Sequence, residues 1–411
     1  MSRAPAPFLD ELARRLGDLA AQGLRRELRM GSGLDFASND YLGLAADPDF
    51  RRDLLARFAS LPASIPLTAP ASRLLRGETE LHARLERRLA LWKGTEAALL
   101  FPSGYQANVG LLGALLGPGD RAISDAANHA SLIDGLRLSG CEKVIVPHLD
   151  LGAVERELAR PPAPGRPAGR TILVTESLFS MDGDVAPLDR YAELAERHGA
   201  SLVIDDAHAT GLFGDARGSG LAERFGVERR ALAVVSTFGK ALGVAGAFVA
   251  GPRVLVDYLV NRCRTFLFTT APPPLLLHAA EVALDRVGAE PGRRERALGL
   301  AARLRERLAQ AGLGGTMPAA GKISGPIVPV VLGGNERATA VAAEVSRRGF
   351  DVRAVRPPTV PEGRACLRIS VHADRAEAEI DALAAAVAEA VDRVDSGALS
   401  RVRSVRTSGV P

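Results

Sequence analysis

Six short apolar runs in the middle of the chain constrain its fold most, because each is followed by a break and a helix-like segment. They are AALLF, RAIS, KVIVP, TILVT, SLVID and LAVVS, between residues 97 and 236. Strands read as continuously apolar when both faces of their sheet are covered, and parallel strands need crossover segments that are usually helices. The pattern therefore predicts an α/β fold with a large, doubly wound, mostly parallel sheet of buried strands.

The length of 411 residues exceeds a single ordinary core, which predicts a second, smaller domain. Apolar positions three and four apart predict an amphipathic helix over 8–29, within an N-terminal segment 1–45 that adds a short strand and packs with the small domain. The large domain is predicted at 46–284. Alternating helix and strand patterns predict a small α+β domain at 285–394. The tail 395–411 lacks periodicity and is predicted to be disordered.

Composition and patterning exclude several classes of protein. The formal charge of +4 is small for this length, and arginines alternate with glutamates in stretches such as ARLRERL, which disfavours nucleic-acid binding. No run approaches the roughly 20 apolar residues that span a bilayer, and the start has no signal-peptide pattern, so we expect a cytoplasmic protein without membrane contact. The three cysteines form no CxxC pair, which argues against a disulfide framework or a zinc site.

Lysine is scarce in this chain, since only four of the 52 basic residues are lysines. Arginine cannot shed its proton to act as a nucleophilic amine, so amine chemistry must come from these lysines or the N-terminus. Lys93 stands before a glycine, where we expect it to be a charge at a helix end. Lys143 precedes a strand and Lys322 lies in the loop GKISG. Lys240, in STFGKALG after a predicted buried strand, is the outstanding candidate for a covalent site.

Polar residues follow three of the predicted strands, where ligands of open α/β sheets bind. Gly104, in PSGYQAN, opens a helix whose first amides suit an anion, and Thr237 precedes Lys240 by three residues. Asp205, at the end of a buried strand, needs a cationic or strongly donating partner. These residues together call for one ligand with a phosphate, a basic ring nitrogen and a carbonyl. Pyridoxal phosphate has all three groups.

Two other interpretations of the segment DDAHATG stay open. Asp205 could cap a helix beside a satisfied His208, or the two residues could be half of a metal site with Asp-x-x-His spacing. The remaining histidines form no His-x-x-x-His or comparable cluster, so no metal is predicted. Neither alternative explains the lysine that follows.

At this point the chain resembles the α-oxoamine synthases, within the fold type I group of pyridoxal-phosphate enzymes, over residues 8–393. The resemblance lies in eight motifs in the same order: ASNDYLGL, PSGYQAN, NHAS, TESLFSMDGDVAPL, VIDDAHATG, STFGKALG, FLFTTAPPP and RPPTVPEGRACLRIS. It implies that Lys240 joins the cofactor as an imine, Asp205 holds the pyridinium nitrogen and His208 contacts the ring hydroxyl. His129 would stack on the ring, with Ser180 close to it.

The resemblance also implies how the phosphate is held and that two subunits share each site. The backbone of Gly104 and Tyr105 and the hydroxyl of Thr237 would bind the phosphate. Thr269 or Thr270 of a second subunit would assist them, which implies a homodimer.

On the substrate side, the resemblance assigns the amino-acid carboxylate to Arg368, a task that suits the bidentate geometry of a guanidinium. Asn39 and Thr359 match other substrate-side positions. Arg25 matches an arginine near the acyl substrate, although the neighbouring Arg26 could take its place.

Within the family, the motifs favour the branch that serves biotin synthesis, which joins L-alanine to a pimeloyl thioester of coenzyme A or of an acyl-carrier protein. The stretch TAPASRLLRGE departs from the family, because Ala69, Pro70 and Ala71 stand where a glycine-rich segment is usual. Two alternatives therefore stay open: a sister enzyme that joins glycine to acetyl-CoA or succinyl-CoA or joins serine to a long acyl-CoA, and a non-catalytic partner subunit of the same fold. The latter would be expected to have lost the lysine or its ring partners.

Overall fold

A computed structural model describes residues 6–161, 169–317 and 323–407. The strands, in chain order, are β1 (Leu34–Asp35), β2 (Ala97–Phe101), β3 (Arg121–Asp125), β4 (Glu142–Val146), β5 (Thr171–Glu176), β6 (Ser201–Asp205), β7 (Ala233–Thr237), β8 (Ala247–Gly251), β9 (Ile327–Gly333), β10 (Phe350–Asp351), β11 (Arg353–Val355) and β12 (Ala365–Ser370).

The helices are α1 (Ala6–Ala21), α2 (Pro48–Ala59), α3 (Glu80–Lys93), α4 (Gly104–Leu115), α5 (Ala130–Ser139), α6 (Leu151–Ala159), α7 (Leu188–Arg197), α8 (Leu221–Arg224), α9 (Arg253–Arg262), α10 (Arg264–Leu267), α11 (Pro274–Ala289), α12 (Pro291–Leu308), α13 (Asn335–Arg347) and α14 (Glu377–Thr407). Short π-helical turns span Arg73–Gly77 and Ala309–Leu313, and a 3₁₀ turn spans Gly314–Thr316.

The predicted α/β fold with a doubly wound sheet is confirmed. Seven strands form one sheet in the order β2-β8-β7-β6-β5-β3-β4. Within it, the five strands β3 to β7 all run parallel to one another. Side chains alternate between two cores, so that Leu99 packs with Leu111 of α4 on one face and Leu100 packs with Leu85 of α3 on the other. Helices therefore cover both faces of the sheet, as the continuous apolar runs require.

Two features of the sheet differ from the sequence prediction. β8 was not predicted, and it runs antiparallel to both β2 and β7. β4 was predicted to be buried, but it is the last strand of the sheet and Ile145 is 57% exposed. An edge strand is covered by fewer neighbours than a central one, so an apolar run alone does not show where in the sheet a strand lies.

A second, three-stranded antiparallel sheet, ordered β11-β12-β9, packs against α12, α13 and α14 around a core of its own. Phe36, which follows β1, belongs to this core, and β1 pairs with β10. The predicted division at 284/285 falls inside α11, whose last residue is Ala289. The other domain limits stay predictions.

Both ends of the chain differ from prediction in helix length. α1 stops at Ala21 rather than near 29, because Gly23 adopts a positive φ of 64° and its amide closes the final turn on Ala20. The tail predicted to be disordered from 395 instead continues α14 to Thr407, and residues 408–411 lie outside the described part. Propagating a helix that has already formed needs no new nucleus, and Arg337 pairs with Asp395 at 2.8 Å.

Within the described ranges, all three cysteines are buried and unpaired. Those ranges hold no helix that is both long and apolar enough to cross a membrane.

Candidate active site

The carboxyl ends of three neighbouring parallel strands bring Glu176, Asp205 and Thr237 to one edge of the large sheet. Asp205 is 6% exposed. Its Oδ2 accepts a hydrogen bond from Asn108 Nδ2 at 2.6 Å, and its Oδ1 accepts one from the amide of Ala207 at 3.0 Å. These neutral donors orient the carboxylate, and no cation of the described ranges is bonded to it, so its charge is available to a cationic ligand group.

Lys240 lies in the turn after β7 and is half-buried. Burial lowers the pKa of Lys240 to about 8, although the negative charges of Asp205 and Glu176 oppose the shift. An amine with a lowered pKa is partly neutral near pH 7, which is the form that attacks a carbonyl or removes a proton. Lys240 therefore combines a reactive amine with nearby carboxylates.

Glu176 is a site residue for which the sequence predicted no role, although it lies within the motif TESLFSMDGDVAPL. It is 2% exposed, and it pairs directly with Asp205 in the register of β5 and β6. Burial and the neighbouring Asp205 charge raise the pKa of Glu176. Its Oε2 accepts a hydrogen bond from the amide of Ser180 at 3.2 Å. The available signal was its position, since it closes the apolar run TILVTE just as Asp205 closes SLVID.

A chain of hydrogen bonds joins His208 to the substrate-side residues. The hydroxyl of Tyr41 lies 2.7 Å from His208 Nδ1 and 3.1 Å from Asn39 Oδ1. Arg368 Nη2 donates to the same Asn39 oxygen at 3.0 Å. Burial lowers the pKa of His208 well below its usual value, and the positive charges of Lys240 and Arg368 add to this effect. His208 is therefore neutral. Tyr41, which lies within the motif ASNDYLGL, is a second site residue for which the sequence predicted no role.

Arg368 is held by two further contacts. Its Nε donates to the carbonyl oxygen of Ser180 at 2.6 Å, and its Nη1 donates to Ser370 Oγ at 2.9 Å. These bonds fix the guanidinium between the small sheet and the loop that carries Ser180. The structure thus brings Arg368, Asn39 and Ser180 together, and their roles stay predictions.

His129 is the N-cap residue of α5, and its ring is exposed. Its Nδ1 lies 2.7 Å from Ser131 Oγ and accepts a hydrogen bond from the Ser131 amide at 3.2 Å. Ser131 Oγ in turn accepts from Asn108, the residue that holds Asp205. The imidazole is thereby oriented by the same network as Asp205.

The residues predicted to hold a phosphate lie together where α4 begins. Ser103 caps the helix by accepting from the Gln106 amide at 3.3 Å, and a Cβ added to Gly104 would lie 3.8 Å from Thr237 Cβ. Helix N-termini bind anions through their free amides, and the hydroxyl of Thr237 is close to them. Tyr105 is exposed, and its hydroxyl bonds to Asp134, so only its backbone is available for the predicted role.

Arg25 and Arg26, the two candidates for the acyl side, make different contacts. Arg26 Nη2 lies 3.5 Å from Thr359 Oγ1, whereas Arg25 lies 4.0 Å from Glu27 and its side chain is 53% exposed. Both arginines line an open groove of about 920 Å³ between the segment after α1 and α13. The structure therefore places Arg26, the alternative named from the sequence, next to Thr359.

Ion pairs of Arg73 hold in place the stretch TAPASRLLRGE, which departs from the family pattern. Arg73 is 8% exposed, donates to both carboxylate oxygens of Glu86 at 2.9 and 3.2 Å, and also pairs with Glu78. Its guanidinium lies 5.6 Å from the centroid of Phe266. The main chain of Ala71 accepts a hydrogen bond from Ala271 at 3.0 Å, so this stretch and the segment after α10 lie side by side.

Lys93 has a buried position that its sequence context did not indicate. Lys93 ends α3, as expected, but it is only 1% exposed. Its ammonium donates to Asp206 Oδ2 at 2.8 Å, to Thr210 Oγ1 at 3.1 Å and to the carbonyl of Ser219. Spacing along the helix showed where it ends but not that its last side chain turns into the protein.

The residues of this site fit pyridoxal phosphate. An amine, a buried carboxylate and an anion cradle converge at one edge of the sheet, which matches the aldehyde, ring nitrogen and phosphate of that cofactor. Among the described residues, Asn108 Oδ1 and Glu176 Oε1 are buried oxygens without a hydrogen-bond partner, so the site has unused polar capacity.

Comparisons with known proteins agree with this fit. A family model described as aminotransferase class I and II matches residues 32–387. An 8-amino-7-oxononanoate synthase from Anaeromyxobacter dehalogenans is 45% identical over 393 residues, covering 92% of this chain and 95% of that protein. One from Geobacter sulfurreducens is 42% identical, covering 92% of this chain and 97% of that protein.

Solved structures show the same fold. A serine palmitoyltransferase from S. paucimobilis is 27% identical with a TM-score of 0.83, covering 96% of this chain and 100% of that chain. An 8-amino-7-oxononanoate synthase from Francisella tularensis is 24% identical with a TM-score of 0.72, covering 88% of this chain and 98% of that chain, and it bears on the fold alone.

The fold and site define a fold type I pyridoxal-phosphate enzyme of the aminotransferase class I and II family. Within that class, the chain belongs to the α-oxoamine synthases, in the branch of the 8-amino-7-oxononanoate synthases, which are acyltransferases of biotin synthesis. The predictions of family, enzyme class and cofactor are thereby confirmed.

Proposed function

We propose that the chain catalyses the decarboxylative condensation of L-alanine with a pimeloyl thioester of coenzyme A or an acyl-carrier protein. The products are 8-amino-7-oxononanoate, carbon dioxide and the free thiol. The observation that carries the proposal is the meeting of Lys240 with Asp205 and His208 at one sheet edge, with Arg368 bonded to the same network. A non-catalytic partner subunit has no need of this arrangement.

When bound, pyridoxal phosphate supplies a carbonyl for an amine and a protonated ring that accepts an electron pair. With the cofactor bound, Lys240 Nζ would hold that carbonyl, and the same Nζ would be the base that takes the α-proton of the substrate. With a pKa of about 8, roughly one Nζ in ten is neutral near pH 7, far more than for an ordinary lysine. The charge of Asp205 would favour the protonated ring nitrogen, while Asn108 holds the carboxylate in place.

His208 and Arg368 orient the two reacting partners. Because Tyr41 occupies Nδ1 of the neutral His208, we assign Nε2 to the hydroxyl of the cofactor ring. Arg368 binds the amino-acid carboxylate beside Asn39. Which bond at the α-carbon breaks depends on its orientation, so a fixed carboxylate governs both proton removal and loss of carbon dioxide.

The choice of acyl donor rests on the relatives more than on the fold. The chain is 45% identical to a protein named 8-amino-7-oxononanoate synthase, whereas its likeness to serine palmitoyltransferase is 27%. Arg26 beside Thr359 offers a cation on the predicted acyl side, which suits a donor with a terminal carboxylate such as pimeloyl better than an uncharged long chain.

We propose that the enzyme is a homodimer with shared active sites. Thr269 is half-buried and Thr270 is exposed, and both follow Phe268, which is 73% exposed. Leu74 and Leu75, in the neighbouring segment before α3, are 55% and 82% exposed. Contiguous exposed apolar residues favour an interface, and one here would bring Thr269 or Thr270 to a second subunit. Analytical ultracentrifugation tests this, and a monomer at micromolar concentration would contradict it.

The reaction is tested by product identification. Purified enzyme loaded with pyridoxal phosphate is incubated with alanine, glycine or serine and with pimeloyl, acetyl, succinyl and palmitoyl thioesters, and the amino ketone is identified by mass spectrometry. The proposal expects 8-amino-7-oxononanoate from alanine and a pimeloyl thioester as the fastest product. Faster turnover of glycine or serine with another thioester would refute it.

A further inference from the structure

One histidine outside the assigned residues lies between two carboxylates. His148, just before α6, has Nδ1 2.8 Å from Asp125 Oδ1 and Nε2 2.9 Å from Asp184 Oδ2. Both ring nitrogens face acceptors, so both can donate only when the imidazole is protonated. The ring also packs edge-on against Phe179, with centroids 4.4 Å apart. Its position is thus fixed on three sides.

The first carboxylate belongs to the turn that carries His129. Asp125 ends β3, and its oxygens also accept hydrogen bonds from the amides of Ala127 and Leu149, at 2.8 and 2.9 Å. The turn 125–129 leads from this carboxylate directly to the N-cap of α5. A partner of Asp125 therefore acts on the loop that presents His129 to the cofactor.

The second carboxylate belongs to the hairpin that anchors Arg368. The hairpin 178–185 is closed by a bridge between Leu178 and Val185, and the Phe179 amide donates to the Asp184 carbonyl at 2.9 Å. Ser180, in the same hairpin, accepts the 2.6 Å bond from Arg368 Nε. A partner of Asp184 therefore acts on the loop that fixes the guanidinium.

We propose that His148 is a positioning residue: it fixes the hairpin 178–185 against the turn 125–129 and thereby sets where Arg368 stands relative to His129. The link joins the substrate-carboxylate side of the site to the cofactor-ring side. The role of this link in catalysis rests on the proposed function, whereas the contacts that form the link do not depend on it.

The charge needed for this link is present over the working pH range. Burial lowers the pKa of His148, but the hydrogen bonds and charges of Asp125 and Asp184 outweigh it and raise that pKa to about 10. Tyr191 and Asp150 also interact with this cluster: burial, Asp125 and Asp150 raise the pKa of Tyr191, so it stays a neutral hydroxyl. Since the folded pKa lies above the ordinary value of about 6.5, the stabilisation is complete below pH 6.5 and is lost as pH rises through 10.

The link is tested first in the protein without cofactor. His148→Gln keeps an amide that can donate but removes the charge between the carboxylates, and His198→Gln, at the end of α7, is the matched control. Hydrogen exchange followed by mass spectrometry should show faster exchange in both 125–129 and 178–185 for His148→Gln and in neither for the control. Asp184→Asn, which removes one carboxylate charge, should give the same pattern to a smaller extent. Unchanged exchange in both loops of both site variants would overturn the proposal.

The positioning role is tested in the loaded enzyme, by titrating L-alanine without acyl donor and following the visible absorbance of the cofactor. We expect the Kd for alanine to rise about tenfold in His148→Gln, because a displaced Arg368 loses part of its charge-assisted hydrogen bonding to the carboxylate. The Kd for pyridoxal phosphate should change less than about threefold. A variant that is less stable but binds alanine normally would overturn the positioning role. A wild type that takes up no pyridoxal phosphate would refute the proposed function instead, and the exchange experiment would still decide the link.

Discussion

Replacing Lys93 by methionine tests the buried ion pair between Lys93 and Asp206, the residue that follows Asp205. Lys93 and Asp206 are 1% and 0% exposed, and the ammonium makes three hydrogen bonds, so the change leaves Asp206 buried without its cation. Removing one partner of such a pair costs about 3–5 kcal/mol of unfolding free energy. Asp206 keeps Ser177 Oγ at 2.6 Å and the Leu221 amide at 3.2 Å, so we expect about 3 kcal/mol, the lower end of that range.

Urea denaturation of the wild type and the variant measures this loss. Burial raises the pKa of Asp206, so its folded pKa lies above the unfolded value and protonation relieves the unpaired charge. The destabilisation should therefore be smaller near about pH 5 than near about pH 8. Lys143→Met, at an exposed position of β4, is the matched control and should change stability by less than about 0.5 kcal/mol. A loss below about 1 kcal/mol for Lys93→Met at pH 8, or one that does not depend on pH, would refute the reasoning.

Three further changes test the site itself. Arg368→Lys should weaken the binding of alanine by about 1.5–3 kcal/mol, measured as a higher Kd in an absorbance titration. An unchanged Kd would exclude Arg368 as the carboxylate ligand. Because the pKa of Lys240 is lowered to about 8, the rate at which apoenzyme takes up pyridoxal phosphate should rise between about pH 7 and about pH 9; a flat profile would contradict this. Gly104→Ala should leave apoenzyme stability within about 1 kcal/mol, because Thr237 is 3.8 Å from the added Cβ, yet should weaken phosphate-dependent cofactor binding at least tenfold by equilibrium dialysis.

The large sheet was predictable because its central strands are apolar on both faces, a property of local sequence. β8, AFVAG, escaped because it directly follows a glycine-rich turn and its antiparallel pairing has no signature of its own. The exposure of β4 also escaped, since the order of strands in a sheet is decided by crossovers far apart along the chain.

The site followed from sequence where a residue ends a predicted strand, as Asp205 does, or follows one, as Thr237 and Lys240 do. Tyr41 could not be found in this way, because its hydrogen bond to His208 joins residues that are distant along the chain. The same limit hid the burial of Lys93, whose partner Asp206 belongs to another strand end. Sequence therefore predicted the reactive groups better than the residues that orient them.

The absorbance of the Lys240→Ala variant tests the central claim most directly. Wild-type enzyme saturated with pyridoxal phosphate should be yellow, through the imine that Lys240 forms, and should turn over alanine with a pimeloyl thioester. Lys240→Ala should lose both the lysine-dependent visible band and the turnover, while Lys143→Ala, at an exposed lysine, should keep both. A Lys240→Ala variant with the wild-type spectrum and activity would contradict the account.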